Sequence, residues 1–188
     1  MQQGQLLAGK RGLVMGVANE KSIAWGIAAA AAAQGAEIAF SYQMEGFGKR
    51  LKPLADSIGS SLLIECDVAA DGAVQRCFNQ LAKDWAEIDF VVHALAYSDK
   101  AELKGVYLDT SRDNFINTMM ISAYSFTEVA RAARPMMPAG GSLVTLSYIG
   151  AQRITPNYNV MGVAKAALEA SVRYLAVDLG GENIRVNG

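Results

Sequence analysis

Two tyrosines and a lysine near the end of the chain could meet in one cleft. Tyr148 closely follows the apolar run 143–146, Tyr158 comes ten residues later, and Lys165 seven residues after that. The alternative for each tyrosine is a half-buried ring whose hydroxyl meets only solvent. These three side chains are therefore the candidate catalytic groups.

Lys165 lies in the otherwise apolar helical stretch 160–168, where a charged side chain needs a partner. A ribose diol would provide one, although a lysine that reaches the surface fits the same local pattern. If the helix begins at Tyr158, seven residues make nearly two whole turns, so both side chains can point into one cleft. We predict that Tyr148, Tyr158 and Lys165 face a nicotinamide cofactor.

Strand-like and helix-like patterns alternate along the whole chain. Strands are predicted at residues 11–15, 36–42, 61–66, 90–95, 142–146 and 184–187, and helices at 22–34, 48–58, 71–85, 112–133 and 158–179. Pro53 is expected to mark a break or a first turn in the second helix. Because the strands are continuous apolar runs, we predict a parallel sheet with helices on both faces, a doubly wound, three-layer α/β Rossmann fold. One dinucleotide-binding domain is expected over residues 1–188.

The turn after the first strand could hold phosphates, because ligands of such folds lie beyond the carboxyl ends of the strands. Gly16 can make the sharp turn, and Ala18 is small enough for close backbone approach. Ser22 and Ile23 open a helix whose free N–H groups favour a pyrophosphate. Gly26 is expected to allow close packing of that helix on the sheet. A turn without a ligand is the alternative, since short glycine motifs match by chance.

The next two strand ends could hold the adenosine half of a dinucleotide. Gln43 stands where a residue can bond a ribose hydroxyl, and Lys49 and Arg50 come too late to receive a 2′-phosphate directly. This favours NADH over NADPH. Asp67 could accept from the adenine amine while Val68 packs on the ring. Asp67 could equally be a turn or helix-capping residue.

Composition argues against several other classes. The formal net charge is −1, whereas nucleic-acid binding proteins usually carry a basic stripe. Cys66 and Cys77 are too few for a disulfide framework, and we expect buried free thiols. His93 is the only histidine and is expected to pack in a strand, so no metal is expected. The polar start 1–5 and the short apolar run 27–33 indicate neither a signal peptide nor a membrane span, so we expect a cytoplasmic protein.

The tyrosine and lysine pattern resembles the short-chain dehydrogenases, whose usual motif is a serine followed by Tyr-x-x-x-Lys. Here Met161 stands at the usual tyrosine position and Tyr148 near the usual serine position, so the common carbonyl site is absent. The spacing of Tyr148, Tyr158 and Lys165, the turn 16–26 and the stretch 156–162 are instead similar to the divergent bacterial enoyl-[acyl-carrier-protein] reductases of the FabI type. The resemblance covers essentially the whole chain, but only the larger, N-terminal part of such a protein.

The resemblance implies an NADH-dependent oxidoreductase of fatty-acid biosynthesis, which delivers hydride to C3 of a trans-2-enoyl thioester on acyl carrier protein. Tyr158 would donate a hydrogen bond to the enolate oxygen, Lys165 would hold the nicotinamide ribose, and Tyr148 would border the acyl pocket. The implied dinucleotide contacts are Gly16, Ser22, Ile23, Gln43, Asp67, Val68, Leu95 and Lys165. The implied substrate-side residues are Tyr97, Ser98 and Met161, of which Ser98 departs from the expected smaller apolar residue.

The resemblance further implies a homotetramer packed through the helices 112–133 and 158–179. Since the chain stops at Gly188, where a ligand-facing loop should begin, we expect it to be incomplete, to lack the substrate lid and to be poorly active by itself. Two other functions remain open, a carbonyl short-chain reductase and a catalytically silent dinucleotide-binding protein. Tyr148 and Met161 argue against the first, and the presence of Tyr158 and Lys165 disfavours the second.

Overall fold

A computed structural model describes residues 4–188, so part of the polar start, residues 1–3, lies outside the described residues. Six strands pair in parallel in the order β3-β2-β1-β4-β5-β6. They are β1 (Arg11–Met15), β2 (Glu37–Tyr42), β3 (Leu63–Glu65), β4 (Phe90–His93), β5 (Gly141–Thr145) and β6 (Ile184–Asn187). The strand order reverses between β1 and β4, which is the switch point of a doubly wound sheet. The predicted Rossmann fold is confirmed.

Helices connect successive strands. They are α1 (Ile23–Ala33), α2 (Glu45–Ser57), α3 (Ala73–Leu81), α4 (Arg112–Met119), α5 (Ser125–Ala133) and α6 (Asn159–Gly180). A π-helical segment, Met120–Tyr124, joins α4 to α5, so the predicted helix 112–133 has the right extent but not a uniform hydrogen-bond pattern. Within residues 4–188 no helix is both long and apolar enough to span a membrane.

Two hydrophobic clusters cover the sheet, one on each face. Alternate residues of one strand point to opposite faces, so Leu13 belongs to one cluster and Val14 to the other. The first cluster packs α3, α5 and α6 on the sheet, and the second packs α1 and α2. The predicted apolar face of the third helix, which consists of Val74, Phe78, Leu81 and Trp85, is buried in the first cluster. Both faces of the sheet are therefore shielded, and its carboxyl edge carries the loops that form the site.

Two local predictions about helices α1 and α2 are wrong. Pro53 lies inside α2, which begins at Glu45, so it neither breaks the helix nor opens it. An interior proline costs about 3 kcal/mol, and the burial of Leu51 and Ala55 against the second cluster offsets that cost. Gly26 faces open space, where an added Cβ would meet no atom within 4 Å, so it does not serve helix–sheet packing.

Candidate active site

Loops after the first four strands enclose a cavity of about 270 Å³ at the carboxyl edge of the sheet. Seven residues singled out from the sequence line it, namely Gly16, Ala18, Gln43, Asp67, Val68, Leu95 and Tyr97. Phe47, Cys66 and Ile121 also line it and were not predicted. Phe47 lies in a surface-like helix pattern and Ile121 in the π segment, so neither carries a local signal of ligand contact. The ends of β1, β2, β3 and β4 therefore meet at one cavity, and no residue after β5 lines it.

Gly16 closes the floor of this cavity, and only glycine fits there. Its backbone has φ +98°, a left-handed conformation that L side chains rarely adopt. A Cβ at Gly16 would lie 2.1 Å from the carbonyl oxygen of Ala94, which follows β4. The ends of β1 and β4 therefore approach so closely that any side chain would collide, and the backbone is left bare toward the cavity.

Ser22 and Ile23 stand beside the cavity rather than in its wall. The Ser22 Oγ accepts from the backbone N–H of Ala18 at 3.0 Å and of Asn19 at 2.9 Å, and it donates to Asn19 O at 2.7 Å. Ser22 thus shapes the turn that brings Ala18 into the cavity wall. Ile23 is exposed at the start of α1.

The turn role of Asp67 is confirmed, while its contact with adenine stays a prediction. Its Oδ1 accepts from the backbone N–H of Ala69 at 3.1 Å, which makes it a turn residue, and it also lines the cavity next to Val68. Cys66 and Cys77 are buried free cysteines, as predicted. A hydrogen bond with Cys66, and then burial, raise the pKa of the Cys77 thiol, so this thiol stays protonated at neutral pH.

The two tyrosines form an edge-to-face pair after β5. Their ring centroids lie 4.9 Å apart at an interplanar angle of 63°, an arrangement that aromatic pairs favour. Tyr158 caps the start of α6 instead of lying within it, so the predicted start of that helix is one residue too early. Burial, and then the neighbouring Tyr148 phenol, raise the pKa of Tyr158. Its hydroxyl is therefore protonated at neutral pH and available as a donor.

Lys165 is buried in α6, with a relative exposure of 5%, so the alternative of a surface-reaching lysine is wrong. Its Nζ donates to the carbonyl oxygen of Leu146 at 2.8 Å. Burial lowers the pKa of Lys165 to about 8 from an ordinary value of 10.5. A carbonyl uses only one of the three ammonium protons, so the others are free to donate to a ligand in the cleft.

His93 does more than fill space in β4. Its Nε2 lies 2.8 Å from Ser125 Oγ, and its Nδ1 lies 3.0 Å from Thr145 Oγ1. Ser125 donates its own proton to Ile121 O at 2.7 Å and Thr145 donates its own to His93 O at 3.1 Å, so either hydroxyl oxygen can accept from the protonated ring nitrogen. Burial and the nearby charge of Lys165 lower the pKa of His93 to about 3. A neutral imidazole thus joins β4, β5 and α5 behind the cleft.

The π segment holds the loop that follows β4. Ser122 Oγ accepts from the backbone N–H of Tyr97 at 2.9 Å and donates to Tyr97 O at 3.0 Å. This double contact fixes the backbone of Tyr97, whose half-exposed ring lines the cavity. A π segment places side chains out of ordinary helical phase, and sequence periodicity did not predict Ser122 as a loop anchor.

A second missed group fastens the loop that carries Tyr148 to α6. Glu169 accepts from Ser147 Oγ at 2.7 Å and from Gln152 Nε2 at 3.2 Å. Glu169 lies one helical turn after Lys165, so these two side chains share one face of α6. In the sequence Glu169 is simply an acidic residue among alanines, a pattern equally typical of a solvent-exposed helix position.

Ser98 and Met161 do not line the cavity. Ser98 is buried, with its Oγ 2.9 Å from Thr118 Oγ1 and within hydrogen-bond distance of the Asn114 amide. Met161 is buried in the first turn of α6, where its N–H donates to Tyr158 O at 2.9 Å. Their predicted substrate contacts stay predictions. Within residues 4–188, no group of three or more metal-ligating side chains occurs.

Taken together, the cavity and the tyrosine–lysine group lie on neighbouring strand ends. His93 of β4 pairs with Thr145 of β5, and the cavity follows β4 while the tyrosines and Lys165 gather after β5. The cavity wall does not include Tyr148, Tyr158 or Lys165, so a ligand that contacts both groups would have to extend from the end of β1 to the end of β5.

Known proteins of similar sequence share one description. The family model described as enoyl-(acyl carrier protein) reductase matches residues 16–188. The enoyl-[acyl-carrier-protein] reductase [NADH] 2 of Rhizobium meliloti is 60% identical over 182 residues, which make up 97% of this chain and 68% of that protein. The corresponding FabI of Bacillus subtilis is 49% identical over 183 residues, covering 96% of this chain and 71% of that protein.

A solved structure of similar fold comes from Anaplasma phagocytophilum. It is an enoyl-(acyl-carrier-protein) reductase in complex with NAD, and it matches with a TM-score of 0.97 and 58% identity. The match covers 100% of this chain and 71% of that one. Since the family model spans most of the chain and the relatives are this similar, the chain belongs to the enoyl-(acyl carrier protein) reductase family.

Proposed function

We propose that the protein is an oxidoreductase that uses NADH to reduce the trans-2 double bond of enoyl-acyl-carrier-protein thioesters during fatty-acid elongation. The observation that carries this proposal is a buried Lys165 and a protonated Tyr158 at one strand end, in a chain of the enoyl-(acyl carrier protein) reductase family. The acyl carrier protein is the proposed partner, because the relatives are named for it.

The described residues fit a dinucleotide. The bare backbone at Gly16 gives the close approach that a pyrophosphate needs, since a Cβ there would be blocked. Asp67, Val68, Gln43 and Leu95 line the same cavity and suit the adenosine half. Ser22 and Ile23, at the start of α1, are proposed to complete the phosphate contacts.

NADH, when bound, would supply a hydride to C3 of the enoyl thioester. Negative charge would then develop on the thioester oxygen, and the Tyr158 hydroxyl would donate a hydrogen bond to it. Such a donor is worth about 2.7–4 kcal/mol of transition-state stabilisation. Lys165 would hold the nicotinamide ribose, and Tyr148, half exposed against Tyr158, would border the acyl group together with Tyr97, Ser98 and Met161.

A carbonyl reductase is the second candidate within the short-chain dehydrogenases. It needs a tyrosine four residues before the lysine, and that position holds the buried Met161. A catalytically silent dinucleotide-binding protein is the third candidate. It leaves unexplained why a lysine is buried in α6 with no carboxylate partner among the described residues.

The loss of NADH absorbance with different thioesters separates these three functions. We expect oxidation of NADH with a trans-2-enoyl thioester and little with a β-ketoacyl thioester. Oxidation with the β-ketoacyl thioester alone would replace the proposal with a carbonyl reductase. NADH binding without turnover of either thioester would favour the silent protein. Substituting NADPH in the same assay tests the cofactor preference that Gln43 suggests.

We further propose a homotetramer packed through the helices that follow β4 and β5. Large apolar side chains are exposed on both, namely Phe115, Ile116, Met120 and Tyr124 on the first and Val163, Tyr174 and Val177 on the second. Light scattering tests this assembly, and a monomer would refute it. The single sheet over residues 4–188 supports one dinucleotide-binding domain. The cytoplasmic location stays a prediction.

A further inference from the structure

The backbone on both sides of Tyr158 is left-handed. Asn157 has φ +60° and Asn159 has φ +36°, while Tyr158 between them has φ −115°. Left-handed backbone costs most L residues roughly 1–2 kcal/mol and costs asparagine less. Such conformations persist only where the surroundings hold them. The position of the Tyr158 ring therefore depends on whatever holds its two neighbours.

Of the two neighbours, Asn159 is the one whose side chain is fixed by hydrogen bonds. Its Nδ2 donates to the carbonyl oxygens of Glu102 at 3.3 Å and of Gly105 at 3.4 Å, in the loop between β4 and α4. The carboxylate of Glu102 in turn accepts from the backbone N–H of Ser111 at 2.8 Å and from Asn114 Nδ2 at 3.2 Å. The start of α6 is thereby tied, through one amide, to a loop that is itself anchored on α4.

The Tyr158 ring packs closely against Gly150. A Cβ on Gly150 would lie 2.4 Å from Tyr158 Cδ1 and 3.2 Å from Tyr148 Cδ1. Gly150 therefore contacts the Tyr158 ring directly, whereas the hydrogen bonds of Asn159 hold the backbone from which the ring projects. Without those hydrogen bonds, the contact with Gly150 remains but the backbone next to Tyr158 is no longer held.

We propose that Asn159 is a positioning residue, whose amide donates to Glu102 O and Gly105 O and thereby aims the Tyr158 phenol at the reacting oxygen. The consequence for turnover rests on the proposed function, while the tether itself does not. Asn157 supplies a matched control, because it shares the left-handed backbone but is exposed and has no side-chain hydrogen bond within residues 4–188.

The test compares Asn159→Gly with Asn157→Gly, since glycine tolerates the left-handed backbone and removes only the side chain. Misplacement of a reacting group by about 1 Å can cost roughly 100-fold in rate. We expect Asn159→Gly to lower kcat roughly 10- to 100-fold with an unchanged Kd for NADH. Asn157→Gly should change kcat by less than about threefold. Equal losses in the two variants would overturn the proposal.

A double substitution separates action through Tyr158 from general loosening of the loop. In a Tyr158→Phe background, Asn159→Gly should lower kcat by no more than about twofold further, because residues that act as a unit are not additive. A full additional loss would overturn the proposal. If Asn159→Gly fails to fold, the isosteric Asn159→Asp, compared with Asn157→Asp, removes the donor while keeping side-chain size, and the same outcomes apply.

A third readout needs no turnover. Titration of tyrosine absorbance, with Tyr158→Phe identifying the Tyr158 step, should show the pKa of Tyr158 falling toward its ordinary value in Asn159→Gly and staying in place in Asn157→Gly. If Tyr158 titrates identically in Asn159→Gly and Asn157→Gly, the positioning role of Asn159 is refuted even if the protein is active. Absence of enoyl-thioester reduction by the unsubstituted full-length protein would refute the proposed function, which is a distinguishable result.

Discussion

Replacing Lys165 by methionine should make the protein more stable at neutral pH while weakening its binding of NADH. The ammonium of Lys165 is buried and donates to a single backbone carbonyl. Its pKa is about 8 in the folded chain against an ordinary 10.5. Each pKa unit corresponds to about 1.4 kcal/mol, so the charged form costs the folded state on the order of 3 kcal/mol. Methionine has a similar length and carries no charge.

The lost hydrogen bond to Leu146 O reduces the gain. A hydrogen bond from a charged group contributes about 1.5–3 kcal/mol, which leaves an expected net stabilisation on the order of 1 kcal/mol near pH 7 for Lys165→Met. Its pH dependence has a definite sign. Between about pH 8 and 10.5 the unfolded chain keeps the Lys165 proton and the folded chain releases it, so the stability of the unsubstituted protein rises there with pH.

Urea unfolding at pH values near 7 and near 10 measures both effects. We expect Lys165→Met to be the more stable protein near neutrality, and the difference to shrink or reverse in alkali. NADH titration should show roughly 10- to 100-fold weaker binding, as for loss of a charge-assisted hydrogen bond. The control is Lys83→Met, which replaces an exposed lysine two residues after the end of α3. It should change neither the stability nor the affinity for NADH. A destabilised Lys165→Met with unchanged NADH affinity would refute the reasoning.

Three further predictions concern Tyr158, Gly16 and His93. Tyr158→Phe should lower kcat with enoyl thioesters by roughly 10²–10³-fold while NADH affinity measured by titration stays nearly constant; a large loss of affinity would give Tyr158 another role. Gly16→Ala should abolish NADH binding, because the new Cβ would lie 2.1 Å from Ala94 O, whereas Gly59→Ala, also at a left-handed glycine but in open space, should bind normally. His93, with a pKa lowered from 6.5 to about 3, stays neutral when folded, so the free energy of unfolding should fall as pH drops through that window, by up to about 5 kcal/mol. The fall should be shallower in His93→Asn, and equal pH slopes in urea unfolding would contradict this assignment.

The sequence predicted those features that depend on local pattern. The strands Arg11–Met15 and Ile184–Asn187 have their predicted bounds, because short apolar runs in an alternating α/β chain specify buried parallel strands. The burial of Lys165 was foreseeable as well, since its neighbours on the helix are apolar. The cavity followed from a topological rule, which brings the ends of neighbouring parallel strands to one edge.

Features that depend on contacts between distant residues were not predictable. The π segment Met120–Tyr124 has no periodic pattern in the sequence that would predict it. It places Ser122 where its hydroxyl binds the backbone of Tyr97, 25 residues away. Glu169 and Asn159 look like ordinary polar helix residues, and only folding brings them to Ser147 and Glu102. Helix starts were uncertain for the same reason, since the cap at Tyr158 is set by tertiary contacts.

The most direct test of the proposed reaction follows the hydride itself. NADH carrying deuterium at both C4 positions would be incubated with the protein and a trans-2-enoyl thioester, and the product examined by mass spectrometry and NMR. We expect a saturated thioester with one deuterium at C3 and a solvent-derived proton at C2. Deuterium on a carbinol carbon, or a saturated product without deuterium, would contradict hydride transfer to the double bond beside Tyr158 and Lys165.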